Sequence, residues 1–138
     1  VVTAETHGMA QRGAAVESHV KLGGFSASLV RRGRADAVLV LDAGRLEAAR
    51  AFLRPGGRCF VNTAAAPDGA AACDAAGIAA EMGLERGANL LLLGFAAAAE
   101  PDLFPGGEAL GRALERLSPP PARADNRRAW RRWTERDG

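Results

Sequence analysis

The chain has 138 residues, of which 48% are hydrophobic and 25% are charged, and its formal net charge is +2. This length suits one domain with a substantial core, and the composition excludes disordered and collagen-like classes. The small net charge gives no overall field of the kind that attracts nucleic acid, so we expect no nucleic-acid partner.

Two strands are predicted in the first part of the chain. The β-branched residues 1–3 indicate a strand that leads into a polar loop. Residues 16–22 then alternate in polarity, which predicts a strand with one face in water. On this pattern, Val16, Ser18, Val20 and Leu22 share the buried face. His19 falls on the other face, where we expect it to be solvated.

A strand, a helix and a strand follow within about thirty residues, as in a βαβ unit. Residues 35–42 form an apolar run that predicts a strand buried on both faces of a parallel sheet. Asp42 can cap a helix that runs through Leu53 and stops at Pro55 and Gly56. Residues 58–63 form the next predicted strand.

The second half of the chain predicts helices. Residues 75–82 carry one apolar stripe and end near Gly83, residues 89–99 are apolar all round, and residues 108–117 carry a second stripe. The first two indicate an amphipathic helix and a fully buried helix. The longest apolar run is about half of what spans a bilayer, so no membrane helix is predicted.

These elements predict an α/β fold, with a Rossmann-like, open, mostly parallel sheet, flanking helices and a helical C-terminal part. We expect a single domain over residues 1–138. It divides into a sheet-rich part (1–66), a helical part (73–117), and a linker with a C-terminal docking helix (118–138). The chain lacks an initiator Met, so we expect truncation at the N-terminus.

The cysteines and histidines show no metal-binding spacing. Cys59 and Cys73 are too few for an iron-sulfur cluster and form no CxxC motif. Without a signal-peptide pattern, they indicate reduced thiols in a cytoplasmic protein. We therefore predict that this chain binds no metal.

Residues 5–13, "ETHGMAQRG", gather an unusual variety of functional groups in a chain dominated by Ala, Leu, Gly and Arg. In an open parallel sheet, ligands meet the loops that follow the strands, and this loop follows the first one. Arg12 could clamp a phosphate or carboxylate, and the glycine-bounded backbone could bind an anion. Alternatively, Glu5 pairs with Arg12, and Thr6 or His7 caps a short helix. His7 has no nucleophile at a motif spacing, so no catalytic residue is predicted.

The segment "NRRAWRRW", residues 126–133, combines arginines with Trp130 and Trp133. The two tryptophans are three positions apart, as on one face of a helix that docks against the domain or a partner. Binding of RNA through the arginines is the weaker alternative.

Several stretches carry a resemblance to a known family. They are "ETHGMAQRG", "AVESHVKLG", "RGRADAVLVLD", "LRPGGRCFVNT", "AAEMGLERGANLLLLG" and "NRRAW". In this order the chain resembles the beta subunits of indolepyruvate ferredoxin oxidoreductases, and more broadly the gamma-type module of 2-oxoacid:ferredoxin oxidoreductases. The "THGMAQRG" form is typical of the arylpyruvate branch.

The resemblance implies an enzyme that decarboxylates an aryl 2-oxoacid, passes two electrons to ferredoxin and yields acyl-coenzyme A. Thiamine diphosphate and the iron-sulfur clusters would belong to the partner alpha subunit, so this chain would bind no cofactor and would be inactive alone. It would pack on that subunit and help to cover coenzyme A. The residues implied in contacts to coenzyme A or the partner subunit are Thr6, His7, Gly8, Gln11, Arg12, Gly13 and Asn62.

Three features depart from the family pattern, one of which is the loop between Thr63 and Ala71, rich in Ala and poor in aromatic residues. The family has a strand and a glycine-rich turn before residue 1, and Ala14 stands where a second glycine is usual. A free-standing Rossmann-like domain that binds a nucleotide or a small anion, without a redox partner, is therefore the alternative interpretation.

Overall fold

The computed structural model describes residues 2–7, 16–104 and 106–135, with residues 2–7 described by their backbone. The strands are β1 (Val2–His7), β2 (Val16–Lys21), β3 (Ala35–Val40), β4 (Leu53–Asn62) and β5 (Ala71–Cys73). The helices are α1 (Leu46–Arg50), α2 (Ala75–Met82), α3 (Ala88–Ala99), α4 (Gly107–Leu117) and α5 (Arg123–Thr134).

A parallel sheet organises the fold. Its strand order is β3-β4-β5, and both strand pairs are parallel. Helix α1 connects β3 to β4, while α2 follows β5. This arrangement confirms the α/β, Rossmann-like class with a helical C-terminal part.

Strands β1 and β2 form a separate sheet. They pair antiparallel, from Val2 opposite Lys21 to His7 opposite Val16. The expectation that the first strand belongs to the parallel sheet is therefore wrong. The first strand is also longer than predicted, so Glu5, Thr6 and His7 lie within it rather than in the loop.

The burial of β2 differs from the prediction, because His19 is its one buried residue. His19 is 9% exposed, whereas Val16 and Val20 are 63% and 57% exposed. Glu17, on the same side of the strand as His19, is exposed, so the predicted alternation of buried and exposed residues is wrong. The imidazole of His19 contacts other residues of the chain, whereas no described residue covers the side chains of Val16 and Val20.

The crossover between β3 and β4 is shorter than predicted. Asp42 does cap a helical turn, since its carboxylate accepts a hydrogen bond from the Gly44 amide at 2.9 Å. However, α1 ends at Arg50, and Leu53 begins β4 instead of extending the helix. Gly56, with φ of +80°, lies within the strand, where the register between β3 and β4 shifts.

The core lies on both faces of β4. On one face, Phe60 packs with Leu91, Leu92 and Ala96 of α3, and all four are 0% exposed. The other face carries a smaller cluster of Val40, Leu46, Cys59 and Val61. Helix α3 is central, but it is not fully buried as predicted, because Ala98 and Ala99 are exposed.

Strand β3 is not buried on both faces. Leu39 is 36% exposed, and Leu41, which follows the strand, is 50% exposed. Leu39 pairs with Phe60 of β4, which is 0% exposed, so burial decreases from the central strand to β3. The prediction of a doubly buried strand is wrong, because β3 is at the edge of the described sheet.

The C-terminal helix docks on the central helix. Trp130 is 8% exposed, and the ring centroids of Trp133 and Phe95 are 5.3 Å apart. Gly94 allows this close approach, because a β-carbon there would lie 2.8 Å from Cδ1 of Trp133. The two tryptophans therefore serve packing within the chain.

In the described parts of the chain, no helix combines the length and the apolar character that crossing a membrane requires.

Candidate functional site

The carboxyl ends of the parallel strands bring three polar residues to one edge of the sheet. Asp42 follows β3, Asn62 ends β4, and Asp74 follows β5. Because the strands are parallel, their carboxyl ends share an edge, which is where ligands meet open α/β sheets.

Asn62 links this edge to a neighbouring helix. Its Nδ2 donates a hydrogen bond to the Leu41 carbonyl at 3.0 Å, and its Oδ1 accepts one from the Ala76 amide at 3.0 Å. The side chain thus ties the end of β3 to the first turn of α2. Its contact with a ligand or partner stays a prediction, and its observed contacts fix the geometry of the edge.

Two aspartates cap the helical turns that begin here. Asp42 accepts a hydrogen bond from Gly44, and Asp74 accepts one from the Gly77 amide at 3.0 Å. These amides would otherwise be available to an anion. With carboxylates already in place, the described edge does not favour a phosphate group.

The antiparallel sheet positions the polar segment that was predicted to carry function. Thr6 pairs with Glu17, and His7 pairs with Val16, at the end of the hairpin. Gly8, Gln11, Arg12 and Gly13 lie outside the described residues. Their roles, and those of Thr6 and His7, therefore stay predictions.

His19 anchors the hairpin. Its Nδ1 accepts a hydrogen bond from the Val30 amide at 3.0 Å, and its ring meets Phe52 edge-on, with 5.3 Å between centroids. Nε2 lies 3.5 Å from Oε2 of Glu17. Since Nδ1 accepts, the proton of the neutral ring is on Nε2, facing that carboxylate. The prediction that His19 is solvated is wrong. Val30 and Phe52, which enclose its ring, are distant from it in the sequence, so no local pattern indicated these contacts.

Large apolar side chains are exposed on β2 and in the segment that follows it. Five large apolar side chains here are at least half exposed: Val16, Val20, Leu22, Phe25 and Leu29. We call these residues the hairpin surface. Single exposed apolar residues are common in soluble proteins, but five within fourteen positions suit contact with another protein. The sequence analysis did not predict these exposed residues, because it assigned the apolar side of β2 to the core.

The two thiols are separated by the sheet. Cys59 packs with Leu46 and Val61, and Cys73 packs in the cluster around Phe60. Both are free and buried, and burial raises the pKa of each thiol. Among the described residues, no three His, Cys, Asp or Glu side chains converge on a possible metal position.

The arginines of α5 have partners within the chain. Arg127 pairs with both carboxylate oxygens of Glu115, Arg128 donates to the Met82 carbonyl at 2.9 Å, and Arg131 lies 3.2 Å from Glu135. Trp130 is buried and Trp133 packs on Phe95, so neither indole of α5 is an open stacking platform. These contacts do not support the RNA-binding alternative.

Comparisons with known proteins extend these observations. A family model described as "Pyruvate ferredoxin/flavodoxin oxidoreductase" matches residues 1–132. Over 63 residues the chain is 44% identical to indolepyruvate oxidoreductase subunit IorB of Archaeoglobus fulgidus. That similarity covers 46% of this chain, which spans about a third (31%) of the relative's length.

Proposed function

Because the chain belongs to the pyruvate ferredoxin/flavodoxin oxidoreductase family, we propose that it is the subunit of a 2-oxoacid:ferredoxin oxidoreductase that does not bind thiamine. The complex would convert an aryl 2-oxoacid such as indolepyruvate, with coenzyme A, into acyl-coenzyme A and carbon dioxide. Two electrons would pass to ferredoxin. The indolepyruvate preference is supported by the name of the relative from Archaeoglobus fulgidus and by the "THGMAQRG" loop.

The cofactors belong to the partner alpha subunit in this proposal. Thiamine diphosphate would supply the decarboxylation chemistry there, and iron-sulfur clusters would carry the electrons. The described residues of this chain do not suit a cluster, since Cys59 and Cys73 lie in different core clusters on opposite faces of the sheet. This subunit would be inactive alone.

The observation that carries the proposal is the hairpin surface. Its side chains are apolar and exposed, although the same hairpin is firmly anchored through His19. Exposed apolar side chains on and beside an anchored hairpin are suited to burial against another subunit. The hairpin also leads into residues 8–15, so a partner seated on it would lie near the polar segment.

We assign the coenzyme A contacts to that segment. Arg12 and Gly13 would meet coenzyme A or the partner, while Thr6, His7, Gly8 and Gln11 would orient the loop. Arginine suits the phosphates of coenzyme A, because its guanidinium binds them through paired hydrogen bonds. The carboxylates of Asp42 and Asp74 already occupy the helical amides at the sheet edge. This supports placing the coenzyme A phosphates at the polar segment instead of at that edge.

The alternative, a free-standing domain for a nucleotide or an anion, has less support. A nucleotide phosphate would bind at free helical amides on the carboxyl edge of the sheet. In this chain, aspartates cap the turns that begin there.

Association with the thiamine-binding subunit tests the packing role. The full-length chain is co-expressed with that subunit, and the yield of complex is compared between the unmodified protein and Val20→Asp. We expect Val20→Asp to weaken association at least about tenfold, because it places a charge in an apolar contact. Ala48→Asp, on the exposed side of α1, is the matched control and should associate normally. Equal association of all three proteins would contradict the proposal.

Steady-state kinetics of the complex tests the role of Arg12. Arg12→Ala should raise the KM for coenzyme A about tenfold or more, through loss of a charge-assisted contact, and leave the KM for the 2-oxoacid unchanged. A change confined to the KM for the 2-oxoacid would show that the loop contacts the 2-oxoacid instead of coenzyme A.

A further inference from the structure

Helix α4 has an apolar stripe that the core does not bury. The stripe consists of Leu110, Ala113, Leu114 and Leu117, at helical spacing. None of the residues of α4 is buried, and Leu117 is 74% exposed. An amphipathic helix normally packs its stripe against the core, so this one has apolar surface left for another contact.

An apolar crevice separates α4 from the central helix. Its volume is about 180 Å³, which gives room for one or two aliphatic side chains. The lining residues are Leu90, Leu93, Leu110, Ala113, Leu114, Leu117 and Trp130. Because every lining side chain except the indole is aliphatic, the crevice suits aliphatic groups.

A positively charged groove lies between α4 and α5, and it shares Ala113, Leu114 and Trp130 with the crevice. Its volume is about 920 Å³. Five arginines line it, namely Arg112, Arg116, Arg123, Arg127 and Arg131, together with Glu115 and Glu135. Arg112 also pairs with Glu108 at 2.8 Å, so two positive charges remain in excess. Charges of this sign beside an apolar crevice complement a segment with acidic and aliphatic side chains.

We propose that this α4 face, formed by the crevice and the groove, docks an acidic amphipathic helix of the thiamine-binding subunit. Aliphatic side chains of that helix would enter the crevice beside Leu117, and its carboxylates would pair with Arg116. This is the helix-in-groove mode of recognition. The inference rests on the proposed function, which supplies the partner, and it adds a second contact to the hairpin surface.

A small phosphorylated ligand fits the same face less well. Trp130 is only 8% exposed, so its ring offers no stacking face to a nucleotide base. Arg127 already donates to both oxygens of Glu115, with Nη2 2.8 Å from Oε2. The aliphatic lining of the crevice would also have no counterpart in a phosphate group.

Two substitutions on α4 test the proposal, one that reverses a charge and one that places a charge in the apolar stripe. Leu117→Asp and Arg116→Glu are compared with the unmodified full-length chain for binding to the thiamine-binding subunit, by calorimetry at low and physiological salt. Both positions are exposed, so the fold should be retained, which circular dichroism checks. Arg34→Glu, an exposed site before β3, is the matched charge control.

We expect Leu117→Asp and Arg116→Glu each to raise the Kd about tenfold, with Arg34→Glu unchanged. Added salt should raise the Kd of the unmodified chain more than that of Arg116→Glu, because the variant lacks the ion pair between Arg116 and the partner helix that salt screens. Association with unchanged affinity in both α4 variants would overturn this inference and leave the proposed function intact. Binding that 10 mM inorganic phosphate abolishes, or a self-associated dimer that these variants disrupt, would also overturn it. Failure of the unmodified chain to bind would instead contradict the proposed function.

Discussion

The imidazole of His19 meets the ring of Phe52 edge-on, with 5.3 Å between the ring centroids and an angle of 88° between the planes. Phe52 immediately precedes β4, whereas His19 lies on β2. The contact therefore joins the antiparallel hairpin to the parallel sheet. The hydrogen bond from the Val30 amide to Nδ1 fixes the ring in place.

His19→Ala should destabilise the protein by about 1–3 kcal/mol, since it removes an aromatic contact and leaves the Val30 amide without its acceptor. Urea unfolding measures the change. Ser18→Ala, at the neighbouring exposed position, should stay within about 0.5 kcal/mol of the unmodified protein. Equal stability of the two variants would show that His19 does not anchor the hairpin.

Asn62→Ala should also cost about 1–3 kcal/mol, because the Leu41 carbonyl and the Ala76 amide both lose their side-chain partner. Asn62→Asp keeps an acceptor for the Ala76 amide but places a carboxylate oxygen against the Leu41 carbonyl, so it should be destabilised as well. Thermal unfolding of both variants measures the effect. A stable Asn62→Asp protein would argue against the bridge between β3 and α2.

Gly94→Ala should destabilise the protein by about 1–3 kcal/mol, because the added carbon would meet Cδ1 of Trp133 at 2.8 Å and push α5 away from α3. Gly107→Ala is the matched control. That position, at the start of α4, has open space around it, so the same substitution should be neutral or slightly stabilising. The melting temperature should therefore fall for Gly94→Ala and stay unchanged or rise for Gly107→Ala; an undiminished melting temperature of Gly94→Ala would contradict the close packing of α3 and α5.

The buried thiols predict a loss of stability in alkali. Burial raises the pKa of Cys59 and Cys73 in the folded state, whereas in the unfolded chain they ionise near their ordinary value of about 8.5. Above that value the unfolded state releases protons that the folded state retains, so stability should fall as pH rises through this range.

Iodoacetamide labelling at pH 8 checks the same thiols. Both should react slowly in the folded protein and rapidly in urea, since the thiolate is the reactive form and burial opposes it. Rapid modification of either cysteine without denaturant would contradict its burial.

Local patterns in the sequence predicted the helices that follow β5 well. The stripe in residues 75–82 and the stop at Gly83 correspond to α2, where Gly83 adopts a left-handed φ of +70°. These signals succeed because helix periodicity, capping and glycine stops act between residues a few positions apart. The docking of Trp130 and Trp133 on one helix face followed from the same spacing rule.

Predictions that depend on distant neighbours failed. The buried face of β2 is decided by Phe52 and Val30, which no local pattern connects to His19. Strand β5, Ala71–Cys73, has no β-forming composition and exists because β4 offers it a paired edge. At the candidate site, the sequence indicated Asn62 but did not indicate that both its polar atoms bind the chain itself.

Reconstitution of the enzyme tests the central claim most directly. The full-length chain is added in increasing amounts to the proposed thiamine-binding subunit, and reduction of ferredoxin is followed with indolepyruvate and coenzyme A. The account predicts that activity rises to a plateau at a fixed subunit ratio and that Val20→Asp requires about tenfold more chain to reach it. Activity that does not depend on this chain, or a Val20→Asp protein as effective as the unmodified one, would contradict the account.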